Sequence, residues 1–277
     1  MEQTKYEYID SFHEGFAKVK LNKKWNFLDK EGNVISDTWF ENCIKFHEGF
    51  AAVELNDRWN FIDGQGNILS KQWFSCCWSF HEGFARVELK GKWNFIDEQG
   101  NLLSKQWFDW CLDFRKGFAI VKLNRKWNFI DEQGKLLSET WFDECWEFHD
   151  EFVRVKLDNK YNFINKQRNY LSDQWFDCCW NFHEGFAIVK VNGRYNLISK
   201  QGKILSDTWF NVCEDFNEGF ARVILNHKWN YIDYHGYLLS DQWFDNCNNF
   251  YKGLARVDIN GYTKLINTKG EITDERK

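Results

Sequence analysis

Wherever the chain is most regular, apolar and polar residues alternate with period two. Along residues 83–89, GFARVEL, Ala85, Val87 and Leu89 alternate with Phe84, Arg86 and Glu88, the pattern of a β-strand with one face turned inward. A two-residue step, Lys90-Gly91 here and Asn192-Gly193 further on, leads into a second alternating run, KWNFID. Asn-Gly between two such runs is a strong hairpin signal. The next connection reads D-x-x-G, as from Asp97 to Gly100, with Asp opening and Gly closing a four-residue turn. The pattern then predicts a short third strand at LLS and a fourth at WFDxCxxF, after which a Gly-containing turn, H-E-G, restarts the cycle.

That cycle accounts for nearly the whole chain. Its leading Phe recurs at Phe12, Phe46, Phe80, Phe114, Phe148, Phe182, Phe216 and Phe250, every 34 residues without insertion. Self-similarity at such a period marks a repeat architecture. One meander of this size is unstable alone in water, so neighbouring repeats must cover each other. Trp25, Trp59, Trp93, Trp127 and Trp229 in one column, and Trp39, Trp73, Trp107, Trp141, Trp175, Trp209 and Trp243 in another, are the expected cement. The fold class expected is all-β: eight tandem 34-residue antiparallel β-meander repeats, forming a single repeat domain over residues 1–277.

Residues 1–11 read as a degenerate N-terminal half-repeat, with KYEYIDSF echoing WFDxCxxF; residues 12–277 hold the repeats, the last one truncated. Thr263 replaces the Trp of KW, and both ends lack Trp. This suggests capping of an open superhelical, solenoid-like stack. A closed, propeller-like ring of eight units is the alternative, because Lys5 and Lys277 fall in one repeat column. The fifth repeat is irregular, with Glu151 and Arg168 where other repeats carry Gly and Val153 where they carry Ala. Different backbone angles are expected in its turns.

Composition narrows the function classes. A net charge of -5 and a pI near 5.9 argue against a general nucleic-acid binder. No apolar run is long enough for a membrane span, and residues 1–21 lack the apolar run of a signal peptide, so a cytoplasmic setting is expected. Seven of the nine cysteines occupy one column, Cys43, Cys77, Cys111, Cys145, Cys179, Cys213 and Cys247, with Cys76 and Cys178 beside it. One cysteine per repeat is expected as a small core filler with a reduced thiol, and no zinc-ligand spacing is present.

The core pattern F-x-E-G-x-A-x-V-x-x-x-x-K-W-x-x-I-D-x-x-G resembles the WG repeat, a bacterial repeat also seen in phage-encoded proteins. The departure is systematic: the Gly after Trp is Asn, as in Trp25-Asn26, Trp59-Asn60 and Trp93-Asn94. Asn tolerates left-handed backbone, so the change is expected to leave the fold intact. The resemblance implies an all-β tandem array with binding or scaffolding roles, and it carries no catalytic residues.

Candidate chemistry is sparse. His13, His47, His81, His149 and His183 each precede an acid, but five like sites at regular spacing describe a turn rather than an active site. Asp29, Asp63, Asp97, Asp131 and Asp233 offer one carboxylate per turn, too few for calcium. More distinctive is the position between the inward Ala and Val of the first strand. It is filled by Lys18, Ala52, Arg86, Ile120, Arg154, Ile188, Arg222 and Arg256, so that basic and apolar residues alternate. If this column lines a groove, Lys18, Arg86, Arg154, Arg222 and Arg256 suit capture of phosphate or carboxylate groups; a solvated strand face is the plainer reading. The expected function is a non-catalytic scaffold for a protein partner, needing no metal or cofactor. The alternative is a binder of a phosphorylated or anionic small molecule, such as a nucleotide or sugar phosphate.

Overall fold

The computed structural model describes residues 5–148 and 151–274. His149 of the histidine column and Lys277 lie outside the described residues. The chain divides into two compact units, Met1–Trp141 and Phe142–Lys277. Each holds four consecutive antiparallel sheets; seven sheets have three strands, and the last has four. No helix occurs among the described residues.

The third sheet shows the plan. Cys76–His81 pairs with Phe84–Leu89, which pairs with Lys92–Asp97 through the tight turn at Lys90 and Gly91. Both turn residues have positive φ, 53° and 76°, the geometry whose twist matches the flanking strands. The sheet boundary differs from the repeat as cut at its leading Phe. The segment around each column cysteine pairs forward with the next hairpin: Asn42–Cys43 joins Ala51–Leu55, with Cys43 opposite Val53. Tyr8–Ile9 of the lead-in serves the first hairpin in the same register, with Ile9 opposite Val19.

The third strand expected at LLS forms only in the last sheet, as Ile272–Asp274, and not in the other seven. In the third sheet only an isolated bridge from Leu102 to Ile96 is present there, with the Leu103 amide donating to Phe95 O at 2.9 Å. The cause is the Asn of KWN. Asn94 is fully buried in a regular strand opposite Val87, and its side-chain amide donates to Ser104 O at 2.7 Å and Gln106 O at 3.3 Å. Its Oδ1 accepts from the Phe95 amide at 2.8 Å. The segment after LLS is thus bonded by a side chain instead of a ladder. Asn26, Asn60, Asn128, Asn162, Asn196 and Asn230 repeat the arrangement. None of them has positive φ, so left-handed tolerance is not why Asn stands there.

Cores form between successive sheets. One cluster takes Phe27 from the first sheet, Phe40 and Phe46 from connecting segments, and Cys43, Ala51, Val53 and Ile62 from the second sheet. Its counterpart one sheet pair on takes Phe95, Phe108, Cys111, Phe114, Ala119, Val121 and Ile130. Fully buried phenylalanines, worth roughly 1.5–3 kcal/mol each, are the main cement. The Trp columns are only half-buried around them, as at Trp25, Trp59 and Trp107. Turns join the sheets as well: a Cβ on Gly100 would fall 2.3 Å from Leu69 O of the preceding repeat, so a side chain there would force the two backbones to shift apart.

In the fifth repeat, Arg168 keeps φ at 71°, and its amide donates to Asn165 O at 3.0 Å, as the Gly100 amide does to Asp97 O. The expected change of backbone angle therefore does not occur at Arg168. A non-glycine residue instead holds the left-handed turn, at a cost of roughly 1–2 kcal/mol.

Candidate functional site

The H-E-G turns, read from the sequence as solvated tips, are ties between repeats. The Glu14 carboxylate accepts from the Glu48 and Gly49 amides at 3.1 and 3.0 Å. Glu48 does the same for Glu82 and Gly83, Glu82 for Lys116 and Gly117, and Glu218 for Lys252 and Gly253. Two successive amides of a left-handed turn make a small anion cradle, filled here by the neighbouring repeat. These backbone bonds hold the Glu14 and Glu218 carboxyls below their usual range. The Asp column caps its own turns, with Asp97 accepting from Gln99 and Asn101 amides at 3.0 and 2.7 Å.

All nine cysteines are free thiols. Burial pushes Cys43, Cys111, Cys145 and Cys213 up to about 12, and Cys77 and Cys179 also upward. They therefore stay protonated and weakly nucleophilic at neutral pH.

Four of the five basic side chains of the row are engaged by the next sheet. Arg86 is only 8% exposed. It donates from Nε to Asp113 at 2.5 Å, from Nη2 to the same carboxylate at 3.2 Å, and from Nη1 to Cys111 O at 3.2 Å. Its guanidinium stands over the Trp78 ring, 4.9 Å from the centroid. Arg222 is held by Glu214 and by Cys247 O. Lys18 donates to Cys43 O at 2.7 Å over the Trp25 ring. Arg154 reaches Cys179 O at 2.8 Å and the Trp146 ring, but it makes no ion pair among the described residues, and its Nε is buried without a partner. Arg256 is exposed beside Asp258 and Asn248. The first four side chains thus each reach a cysteine carbonyl 25 residues ahead, tying one sheet to the next.

The sequence reading missed a second column next to this one. Ile44, Trp78 and Leu112, one per repeat in the first unit, are all exposed, Trp78 by 49%, with Trp110 exposed nearby. The amides of Ile44 and Leu112 donate to Ala52 O and Ile120 O, so the apolar file runs beside the basic column. In the second unit the same column continues as Trp146, Trp180, Glu214 and Asn248. Its members differ in chemical type from repeat to repeat, and that variation was the available signal.

This combination, tandem three-stranded sheets tied by side chains with the variable residues gathered in a few columns, defines an all-β repeat protein. The chain belongs to the family described as WG containing repeat, whose model matches residues 3–25, 27–59, 61–93, 95–127, 129–161, 163–195, 197–229 and 244–262. No curated protein matches it. Among solved structures it is similar to Kluyveromyces lactis Hsv2p, at 6% identity, 83% of this chain, 94% of that one and a TM-score of 0.30. It is also similar to a eukaryotic initiation factor, at 10% identity, 98% and 90% coverage and a TM-score of 0.35. PorZ of Porphyromonas gingivalis is a third, at 10% identity, 98% and 46% coverage and a TM-score of 0.30. Superposition at that level bears on neither the arrangement of the sheets nor function. Among the described residues, no helix is long and apolar enough to cross a membrane.

Proposed function

We propose that the chain is a non-catalytic scaffold that binds another protein through the columns that vary between repeats. The carrying observation is the exposed file of Ile44, Trp78 and Leu112, joined by Trp110, on three consecutive repeats of the first unit. Exposed large apolar groups in one repeat column, with charged groups such as Lys45 and Asp10 beside them, have the composition of a protein-docking face. A non-catalytic role accords with the use of the titratable groups: the acids cap turns, the thiols stay protonated, and the guanidinium groups tie sheets. The open stack expected from the sequence and a reducing, cytoplasmic setting for nine unpaired thiols belong to the same proposal.

The test is affinity capture with the wild-type chain, with Trp78→Asp, and with Lys105→Asp as a control elsewhere on the surface. The reading expects a partner that Trp78→Asp loses and Lys105→Asp keeps. Repeatedly empty captures, or a partner indifferent to Trp78, would sink it.

A second reading is favoured by one residue of the basic row. Arg154 has no carboxylate partner among the described residues and a buried, unpartnered Nε, so it retains capacity for a phosphate or carboxylate. A nucleotide or sugar phosphate bound there would raise the melting temperature by mass action, and Arg154→Ala would erase the rise. A screen of such anions without any shift removes this reading.

A further inference from the structure

The protein contains its own template for a guanidinium site. In the third repeat Arg86 lies against Trp78, eight residues before it. It meets Asp113, 27 residues after it, and the carbonyl of Cys111, 25 residues after it. At the position three repeats later Ile188 replaces the arginine, while the surroundings remain: Trp180 is eight residues before, Asp215 is 27 after and Cys213 is 25 after.

The shorter, uncharged side chain leaves a cavity of about 520 Å³, lined by Trp180, Ile188, Cys213 and Asp215 together with Tyr195 and Asn217. Trp180 is 40% exposed, and among the described residues no cation stands over its ring. Asp215 is exposed and has no hydrogen bond or ion pair among the described residues, whereas neighbouring Glu214 is taken by Arg222. Asp215 lies where the pairing of Val212–Asn217 with Phe220–Leu225 shifts register between Cys213 and Phe216, an irregularity of the kind that re-aims side chains beside binding sites. Asn217 Oδ1 is buried with no partner. The cavity thus offers a carboxylate, an orphaned amide oxygen and an aromatic face. The first two only accept hydrogen bonds, and the third attracts cations.

We propose that this cavity binds a guanidinium group from outside the chain, an arginine side chain of the partner protein, in the place that Arg86 fills in the third repeat. The planar donor fork matches a carboxylate and a second acceptor, and the guanidinium plane stacks on indole. This inference rests on the scaffold reading for its source of arginine and deepens it by naming the chemistry of one anchor.

Calorimetric titration of the full chain with acetyl-Gly-Arg-Gly-amide, acetyl-Gly-Gln-Gly-amide and agmatine tests it. Expected is saturable, millimolar-range binding of the arginine peptide at one site, with no binding of the glutamine peptide. Asp215→Asn should weaken binding at least tenfold, and Ile188→Arg, which fills the site from within, should abolish it while the chain stays folded by circular dichroism. Agmatine binding as well as the peptide indicates a small guanidinium compound as the natural source; preference for the peptide indicates a protein. Equal binding of both peptides, no binding of the arginine peptide, or binding undiminished in Ile188→Arg overturns the proposal. The scaffold reading fails separately. A partner still held by Ile188→Arg leaves the scaffold standing without this anchor, and arginine binding without any captured partner leaves the site standing without the scaffold.

Discussion

The third and sixth repeats share a frame and differ in what it contains. Asn94 and Asn196 bond the same pair of carbonyls, at Ser104 and Gln106 in one and at Ser206 and Thr208 in the other. Trp78 and Trp180 occupy the same repeat column, and both are exposed. Inside the frame, Arg86 closes the third repeat with an ion pair to Asp113, whereas Ile188 leaves the sixth open with Asp215 unpaired. Constant columns make the sheet, and one variable position decides whether its cradle is filled or available.

The largest expected effect comes from breaking the shared frame. Asn196→Ala removes two partly buried side-chain bonds and leaves the buried Leu197 amide without its Asn196 Oδ1 acceptor. It should cost roughly 2–3 kcal/mol, read as a lower urea midpoint at unchanged slope; Asn94→Ala should match it. A loss below about 0.5 kcal/mol, within the range of ordinary surface substitutions, would mean that the Asn clamp is not structural.

Emptying the filled cradle should cost less. Arg86→Ala leaves Asp113 and Cys111 O without their guanidinium and is expected to destabilise by about 1–2 kcal/mol. Filling the empty one should act in the opposite direction. Ile188→Arg is expected to stabilise by up to about 1 kcal/mol through a partly exposed pair with Asp215, visible as a higher melting temperature that 1 M salt diminishes.

The smallest effect concerns the Glu ties that join successive repeats, such as the one from Glu218 to the next turn. Glu218 titrates below its usual range in the folded chain because the Gly253 and Lys252 amides bond its carboxylate. Its contribution is therefore present above the unfolded value of about 4.3 and is lost as pH falls through the lower folded value. Melting temperature measured from pH 6 down to pH 3 should fall less steeply for Glu218→Gln than for the wild type. Parallel curves would remove the tie from the account.

Much of the frame was legible in the sequence. Alternation in GFARVEL, the two-residue step at Lys90-Gly91 and the D-x-x-G turn each report on local backbone, and each is found where it was read. What escaped depends on partners in the next repeat. Nothing local links Glu14 to the amides of Glu48 and Gly49, or Arg86 to Asp113, because the offsets of 27, 34 and 35 residues follow from how one sheet lies on the next. The Asn after Trp was misread for a related reason. Its function is to bond carbonyls 10 and 12 residues away, whereas residue type alone suggested left-handed backbone. The expected LLS strand failed with it in every sheet but the last, since the clamp takes the carbonyls a ladder would have used.

The difference between the two repeats can be reversed on one side, and that reversal is the most direct measurement. Arg86→Ile should turn the filled cradle into a second open one, lined by Trp78 and Asp113. Calorimetric titration with the arginine peptide should then give two sites per chain where the wild type gives one, and Arg86→Ile combined with Ile188→Arg should return the count to one. A stoichiometry unchanged by Arg86→Ile would contradict the claim that, in a frame holding both the tryptophan and the aspartate, this column sets whether the cradle is open for binding.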